Sequence, residues 1–144
     1  MTLHLVKLCA GADGLEDLVA RIDYRVRANA DAGRGRVHDH LTRMHPRREK
    51  ELLTGGSIYW VIKGVILARQ RIIGFERRTG SDQIERTAIL LDPDYVRTAP
   101  APRRAFQGWR YLPGDDAPSD LKKRRNKNAP PPELTLKLAE LGLL

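Results

Sequence analysis

Two arginines in the middle of the sequence have a spacing that suits contact with a polyanion. Arg69 and Arg71 are two positions apart in a predicted strand, so both side chains leave the same face of a sheet. The guanidinium fork matches phosphate geometry, and each neutralised phosphate adds affinity through counterion release. The alternative is that one or both arginines form ion pairs with Glu76 or Glu85 on neighbouring strands.

A second candidate region lies further along and interleaves cations with aromatic rings. Such a mixture suits single-stranded nucleic acid, because bases stack on the rings while arginines hold the backbone. The alternative is that the rings are buried and Trp109 only anchors an irregular segment to the domain. The residues concerned are Arg103, Arg104, Phe106, Gln107, Trp109, Arg110 and Tyr111, with Trp109 and Tyr111 as the candidate stacking residues.

A third basic feature is the run from Lys122 to Lys127. It supplies five of the formal charges in a chain of net charge +8. A flexible arm of this kind predicts phosphate contacts without sequence reading, and the alternative is a solvated linker. Its four leading residues complete the predicted RNA-binding set: Lys122, Lys123, Arg124 and Arg125.

Three histidines offer different chemistry. His38 and His40 share a strand face, and His45 or Glu49 could supply a third metal ligand only after a turn. The sequence has no established ligand spacing such as His-Glu-x-x-His. The histidines therefore suit either a polar network or, as an alternative, a small histidine-dependent or metal-dependent enzyme.

Cys9 is the only cysteine, so the chain can form neither an internal disulfide nor a zinc site made of several thiolates. A lone cysteine of this kind is expected to be a small buried residue, although a helix that starts near Asp13 could lower its pKa. The sequence contains neither a nucleophile elbow nor a Gly-rich phosphate loop. We therefore predict no catalytic residue, no metal and no cofactor.

The composition describes one domain. The chain has 144 residues, of which 31% are charged, and 26 Lys and Arg outnumber 18 Asp and Glu. A basic protein with pI near 10.1 favours a polyanionic partner. No apolar run approaches the roughly 18 residues that span a bilayer, so we expect a cytoplasmic protein without a membrane contact. The sequence does not predict the oligomeric state.

The predicted elements begin with a strand over Leu3 to Leu8 and a helix that starts at Asp13, where Glu16 completes a capping box. A strand over 37–44 and a two-turn helix between Pro46 and Gly55 follow. The strongest signal is a hairpin with Lys63 and Gly64 as its turn, whose second strand bends at Gly74. A strand over 84–91 ends at Asp92-Pro93-Asp94, and residues 99–118 are predicted to be irregular.

Several long motifs resemble a bacterial family known only as a domain of unknown function, number 1489. They include GGSIYWVIKG at 55–64 and FQGWRYL at 106–112, and the resemblance covers nearly the whole chain. The resemblance implies no activity. A weaker similarity, in architecture only, is to the small PUA-like β-barrels, which often bind RNA or modified bases.

We therefore predict an α+β domain with a mostly antiparallel, curved sheet, or a partly closed PUA-like β-barrel, and two to three flanking helices. Residues 1–118 form the domain, 119–132 a basic, Pro-rich flexible segment, and 133–144 a helix packed on the domain. The predicted function is non-catalytic RNA binding, with RNA favoured over DNA. A protein-interaction or assembly module with an acidic partner is the alternative from another class.

Overall fold

A computed structural model describes residues 2–104 and 106–121 of the chain. It contains six strands, two α-helices and one 3₁₀ turn. In chain order these are β1 (Leu3–Leu8), α1 (Leu15–Asp31), β2 (His38–Thr42), α2 (Glu49–Leu52), β3 (Ser57–Ile62), β4 (Val65–Thr79), β5 (Glu85–Pro102), β6 (Trp109–Pro113) and the 3₁₀ turn (Gly114–Asp116).

The six strands form one mixed sheet in the order β2-β5-β4-β3-β1-β6. Every neighbouring pair is antiparallel except β1 and β3, which are parallel. The α+β class and the mostly antiparallel sheet are thus confirmed. Within the described residues β2 and β6 are the free edges of an open sheet, so the predicted barrel is not confirmed.

The hairpin between β3 and β4 follows its prediction. Lys63 and Gly64 both have positive φ, 48° and 79°, which two-residue turns need to match the twist of the flanking strands. Further along β4, the register against β5 shifts between Ile72 and Gly74, so the bend expected at Gly74 is present. Such irregularities let the long strands β4 and β5 curve.

Helix α1 covers one face of the sheet. Its apolar stripe, which includes Leu18, Ile22 and Val26, is buried in a cluster with Leu5 and Trp60 of the sheet. Each such side chain contributes roughly 1.5–3 kcal/mol when it leaves water. A second, smaller cluster lies on the other face, around Val6, Tyr59, Val61, Ile66 and Leu112.

Four local predictions were wrong in detail. Helix α1 begins after Gly14 with no side-chain cap, and the backbone N–H of Asp13 is bound instead by Asp17. Helix α2 is one turn long rather than two. Strand β5 does not end at 92–94 but continues to Pro102, and 109–113 of the segment predicted as irregular form β6.

The predicted basic run at 122–127 and the predicted helix at 133–144 lie outside the described residues. None of the helices in the described part of the chain is long and apolar enough to cross a bilayer.

Candidate functional site: a cavity beneath helix α1

A buried aspartate fixes the edge strand β2 against helix α1. The Asp39 side chain is 0% exposed and accepts hydrogen bonds from Arg25 and Asn29 of α1 and from Arg78 of β4. Burial alone would raise the pKa of Asp39, but the hydrogen bonds from Arg78, Asn29 and Arg25 outweigh it and hold that pKa well below its ordinary value. The carboxylate therefore stays ionised and sets the position of its neighbours His38 and His40.

A buried glutamine orients His38. The Gln70 amide nitrogen donates to the backbone oxygen of Asp92, so its Oε1 is left to accept from Trp60 Nε1 at 2.9 Å and from His38 Nδ1 at 3.1 Å. Because an amide oxygen only accepts, Nδ1 of His38 carries the proton. Burial lowers the pKa of His38. His38 is thus a neutral imidazole whose Nε2 is a hydrogen-bond acceptor. No described residue donates a hydrogen bond to this Nε2.

His40 lies beside it on the same strand face. Its ring meets Trp60 edge-to-face at 5.2 Å. Its Nε2 is buried and has no hydrogen-bond partner among the described residues. Burial, followed by the positive charges of the nearby cations Lys7 and Arg21, lowers the pKa of His40 to about 3. His40 is therefore neutral at physiological pH.

Two cations, Lys7 of β1 and Arg21 of α1, lie close to His38 and His40. Lys7 stands opposite Trp60 in the parallel register and is half-buried, and burial lowers its pKa. Arg21 donates to Cys9 Sγ at 3.5 Å and to the backbone oxygen of Ala10. Neither cation forms an ion pair with a carboxylate of the described residues.

Cys9 is a packing residue, as the sequence favoured. It is 2% exposed and belongs to the main hydrophobic cluster. Burial raises the pKa of its thiol, which disfavours the thiolate needed for nucleophilic attack. The nearby helix start does not reverse this.

These residues line two pockets that share part of their walls, which we call the inner chamber and the outer chamber. The inner chamber has a volume of about 90 Å³ and is lined by Lys7, Cys9, Arg21, His38, His40 and Trp60, among others. The outer chamber, about 390 Å³, lies between α1 and β2 and shares Arg21, His38 and His40 with the inner one. The chambers thus offer two cations, two neutral imidazoles and an indole wall.

His45 does not join the other two histidines. Its Nδ1 lies 2.8 Å from Thr87 Oγ1, and its Nε2 lies 3.7 Å from Glu49. In residues 2–104 and 106–121 no three His, Cys, Asp or Glu side chains are placed to hold a metal ion. The geometry gives no support to a metal-dependent reaction at His38 and His40.

The two strand arginines differ in what they contact. Arg69 and Arg71 face the same side, since they pair with Tyr59 and Ser57 across the ladder. Arg69 donates to both carboxylate oxygens of Asp120 at 2.7 Å and to Ser57 Oγ at 2.9 Å. Arg71 is exposed and makes no ion pair within the described residues. Only Arg71 of this pair presents a free guanidinium.

Two aromatic rings of the segment 103–111 make packing contacts within the domain. Trp109 is 7% exposed, and its Nε1 donates to the backbone oxygen of Met44 at 2.9 Å. Tyr111 packs edge-to-face on Trp109 at 4.9 Å, and its hydroxyl accepts the backbone N–H of Arg48 at 3.2 Å. These contacts favour ring burial over base stacking at both positions.

The arginines of this segment remain on the surface. Arg104 and Arg110 are exposed and Arg103 is half-buried. The Arg110 guanidinium lies 5.3 Å from the centre of the Phe106 ring and donates to backbone oxygens of Gln107 and Trp109. None of the three arginines forms an ion pair with a described carboxylate. The predicted contributions of Lys122, Lys123, Arg124 and Arg125 lie outside the described residues.

Sequence reasoning missed Lys7, Arg21 and Gln70 as parts of the cavity. Lys7 shares its strand face with the buried Leu3 and Leu5, so a cation at an otherwise apolar position was a usable signal. Gln70 likewise occupies a buried position of β4 at which the residues two places away on either side are buried and apolar, and it is itself 0% exposed. Arg21 carries no comparable signal, because its role depends on how α1 packs.

Comparison with known proteins adds one finding. The sequence model of a family described as a protein of unknown function matches residues 5–144. No curated protein and no solved structure matches the chain.

Proposed function

Since the chain belongs to the DUF1489 family, whose description assigns no activity, we propose from its surface that it is a non-catalytic domain that binds RNA. The observation that carries the proposal is the group of three arginines on and beside the β5–β6 loop, which we call the loop arginines: Arg103, Arg104 and Arg110. They reach solvent without a carboxylate partner among the described residues.

The loop arginines contrast with most arginines on the sheet. Arg77, Arg78 and Arg86 each contact a carboxylate at 2.8 Å or less. A paired guanidinium must give up its partner before it binds phosphate, so it adds little affinity. Arg103 and Arg104 have no carboxylate of the described residues to release, and Arg110 gives up only hydrogen bonds to backbone oxygens, so the loop arginines remain available to an incoming backbone.

The loop also retains one ring for contact with bases. Phe106 is half-buried and lies under the Arg110 guanidinium. A ring with a cation beside it can take part in stacking and cation–π contacts with an unpaired base. In this arrangement Phe106 replaces Trp109 and Tyr111 as the stacking candidate, because those two rings are held by intramolecular contacts.

The other predicted residues take secondary roles. Arg71 adds one exposed cation on the sheet, whereas Arg69 keeps Asp120 in place. The basic residues Lys122, Lys123, Arg124 and Arg125 add charge without shape, which raises affinity for any polyanion equally. The proposal keeps the preference for RNA over DNA, and the comparison with single-stranded DNA below tests it.

The test measures binding of the full chain to a fluorescent single-stranded RNA by anisotropy over a range of salt concentrations. We expect the Arg103→Ala/Arg104→Ala variant to bind more weakly and to lower the salt slope by about 1.4, because two phosphate contacts are lost. The matched control, Arg77→Ala/Arg86→Ala, removes the same charge from arginines that are already paired. Equal loss in both variants would show that only net charge matters and would overturn the loop assignment.

The same assay separates the alternative partner. A single-stranded DNA of matched sequence tests the preference for RNA, and polyglutamate tests an acidic protein surface. If polyglutamate competes with RNA at equal charge concentration, an interaction module with an acidic partner explains the surface better than RNA binding does.

A further inference from the structure

We infer that the inner chamber beneath α1 binds an oxyanion, the phosphate or carboxylate group of a small ligand, between Lys7 and Arg21. The inference stands apart from RNA binding by the loop arginines, because it uses none of the same residues. It rests on the charge, the size and the hydrogen-bonding capacity of the chamber.

The charge of the inner chamber is uncompensated. Lys7 and Arg21 both line it, and no acidic side chain does. A half-buried ammonium loses part of its hydration, and proteins normally repay this with a carboxylate partner. Lys7 has no such partner among the described residues, so an anion from outside the chain supplies the missing charge.

The size of the chamber selects a compact group. Its volume is about 90 Å³, whereas a cavity that takes up benzene is about 150 Å³. An aromatic ring is too large, but a tetrahedral or trigonal oxyanion is not. The rest of the ligand would lie in the outer chamber, whose volume is about 390 Å³ and which opens beside Tyr24.

The two imidazoles specify what accompanies the anion. Gln70 fixes the proton of His38 on Nδ1, so the Nε2 of His38 can only accept. The buried Nε2 of His40 has no partner among the described residues, and it accepts from a ligand hydroxyl in one tautomer and donates to the oxyanion in the other. An acceptor in a cationic chamber is satisfied by an O–H or N–H of the ligand. We therefore assign a ligand that carries a hydroxyl or a protonated oxygen next to its oxyanion, as hydroxy acids and phosphate monoesters do.

The test measures the ¹⁵N chemical shifts of His38, His40 and His45 by NMR of the full chain labelled with ¹⁵N-histidine. The probes are inorganic phosphate, acetate and glycolate, each titrated at constant ionic strength with chloride as the reference anion. We expect saturable shifts of the Nε2 signals of His38 and His40, with glycolate tighter than acetate because of its hydroxyl. His45, which contacts Thr87 and Glu49, is the internal control and should not move.

A charge variant tests the assigned cation. Lys7→Gln should weaken phosphate binding at least about tenfold, because a hydrogen bond to a charged group is lost. Lys63→Gln is the matched control, since Lys63 is exposed and already paired with Asp13. If Lys7→Gln does not fold, the wild-type titration decides alone: the absence of saturable shifts at His38 and His40 with all three probes overturns the inference.

A last arm separates the source of the oxyanion. An RNA with a 5′-phosphate and the same RNA with a 5′-hydroxyl are compared by the His38 and His40 signals. Shifts only with the phosphorylated RNA assign the chamber to a nucleic-acid terminus, and shifts only with the free anions assign it to a small molecule. RNA affinity without histidine shifts from any probe overturns the chamber and leaves the loop arginines in place, and the reverse result overturns only the RNA proposal.

Discussion

The buried carboxylate of Asp39, with its partners Arg25, Arg78 and Asn29, provides the sharpest test of how this fold holds its candidate site. We expect Asp39→Asn to lower the free energy of unfolding by about 3 kcal/mol at pH 7, because it removes the charge that two arginines share. The breaking of a buried ion pair costs about 3–5 kcal/mol, and we take the lower end because the Arg25 and Arg78 side chains are 37% and 25% exposed.

The pH dependence of this loss has a definite sign. The pKa of Asp39 in the folded protein lies well below the ordinary value of 3.8. Its stabilisation is therefore complete above the unfolded pKa and is lost as the pH falls towards the folded pKa. The difference in stability between the wild type and Asp39→Asn should be full at pH 7 and should shrink as the pH falls below 3.8.

The assay is urea unfolding at pH 7, 5 and 3, followed by circular dichroism. Asp82→Asn is the matched control, because Asp82 also pairs with an arginine, Arg86, but on the open surface. Hydrogen bonds from Arg86 and from a backbone N–H lower the pKa of Asp82 to about 2, yet an exposed pair adds little stability. Equal effects of the two substitutions, or a loss at Asp39 that does not change with pH, would refute the reasoning.

Three further predictions follow from the buried residues. Gln70→Leu leaves Trp60 Nε1 and His38 Nδ1 without their acceptor, so the free energy of unfolding measured in urea should fall by about 2–4 kcal/mol. The ¹⁵N chemical shifts of His38 should also show a change of tautomer, and an unchanged tautomer would contradict this prediction. Gly56→Ala would place a Cβ 2.4 Å from two backbone oxygens, which should cost about 1–3 kcal/mol in thermal unfolding, and wild-type stability would disprove the contact. Cys9 is 2% exposed and burial raises its pKa, so iodoacetamide should modify it only when the protein unfolds, and rapid labelling of the native protein would rule out the buried thiol.

The hairpin and helix α1 were predictable because their signals are local. A Lys63-Gly64 turn between two β-rich runs, and an apolar stripe through Leu18, Ile22 and Val26, depend on residues that are close in sequence. Strand β6 was missed because its pairing is not local. It lies in a Pro-rich segment and forms only because β1, about a hundred residues earlier, offers an edge.

The candidate site divides in the same way. The shared face of His38 and His40 followed from strand alternation, and the burial of Cys9 followed from its type. The partners did not follow, because Lys7 and Arg21 reach the histidines only through the parallel pairing of β1 and the packing of α1. Arg69 shows the same limit, since its carboxylate, Asp120, lies 51 residues away and not on either strand that the pattern suggested.

The position of β1 inside the sheet also bears on how the protein is made. Both edges of this strand are occupied, by β3 on one side and by β6 on the other. During synthesis Leu3–Leu8 leaves the ribosome long before 109–113 exist, so a nascent chain carries an apolar strand with an open hydrogen-bonding edge. Chains that stop before β6 should therefore aggregate, because this edge of β1 is covered only when β6 has been synthesised and pairs with it.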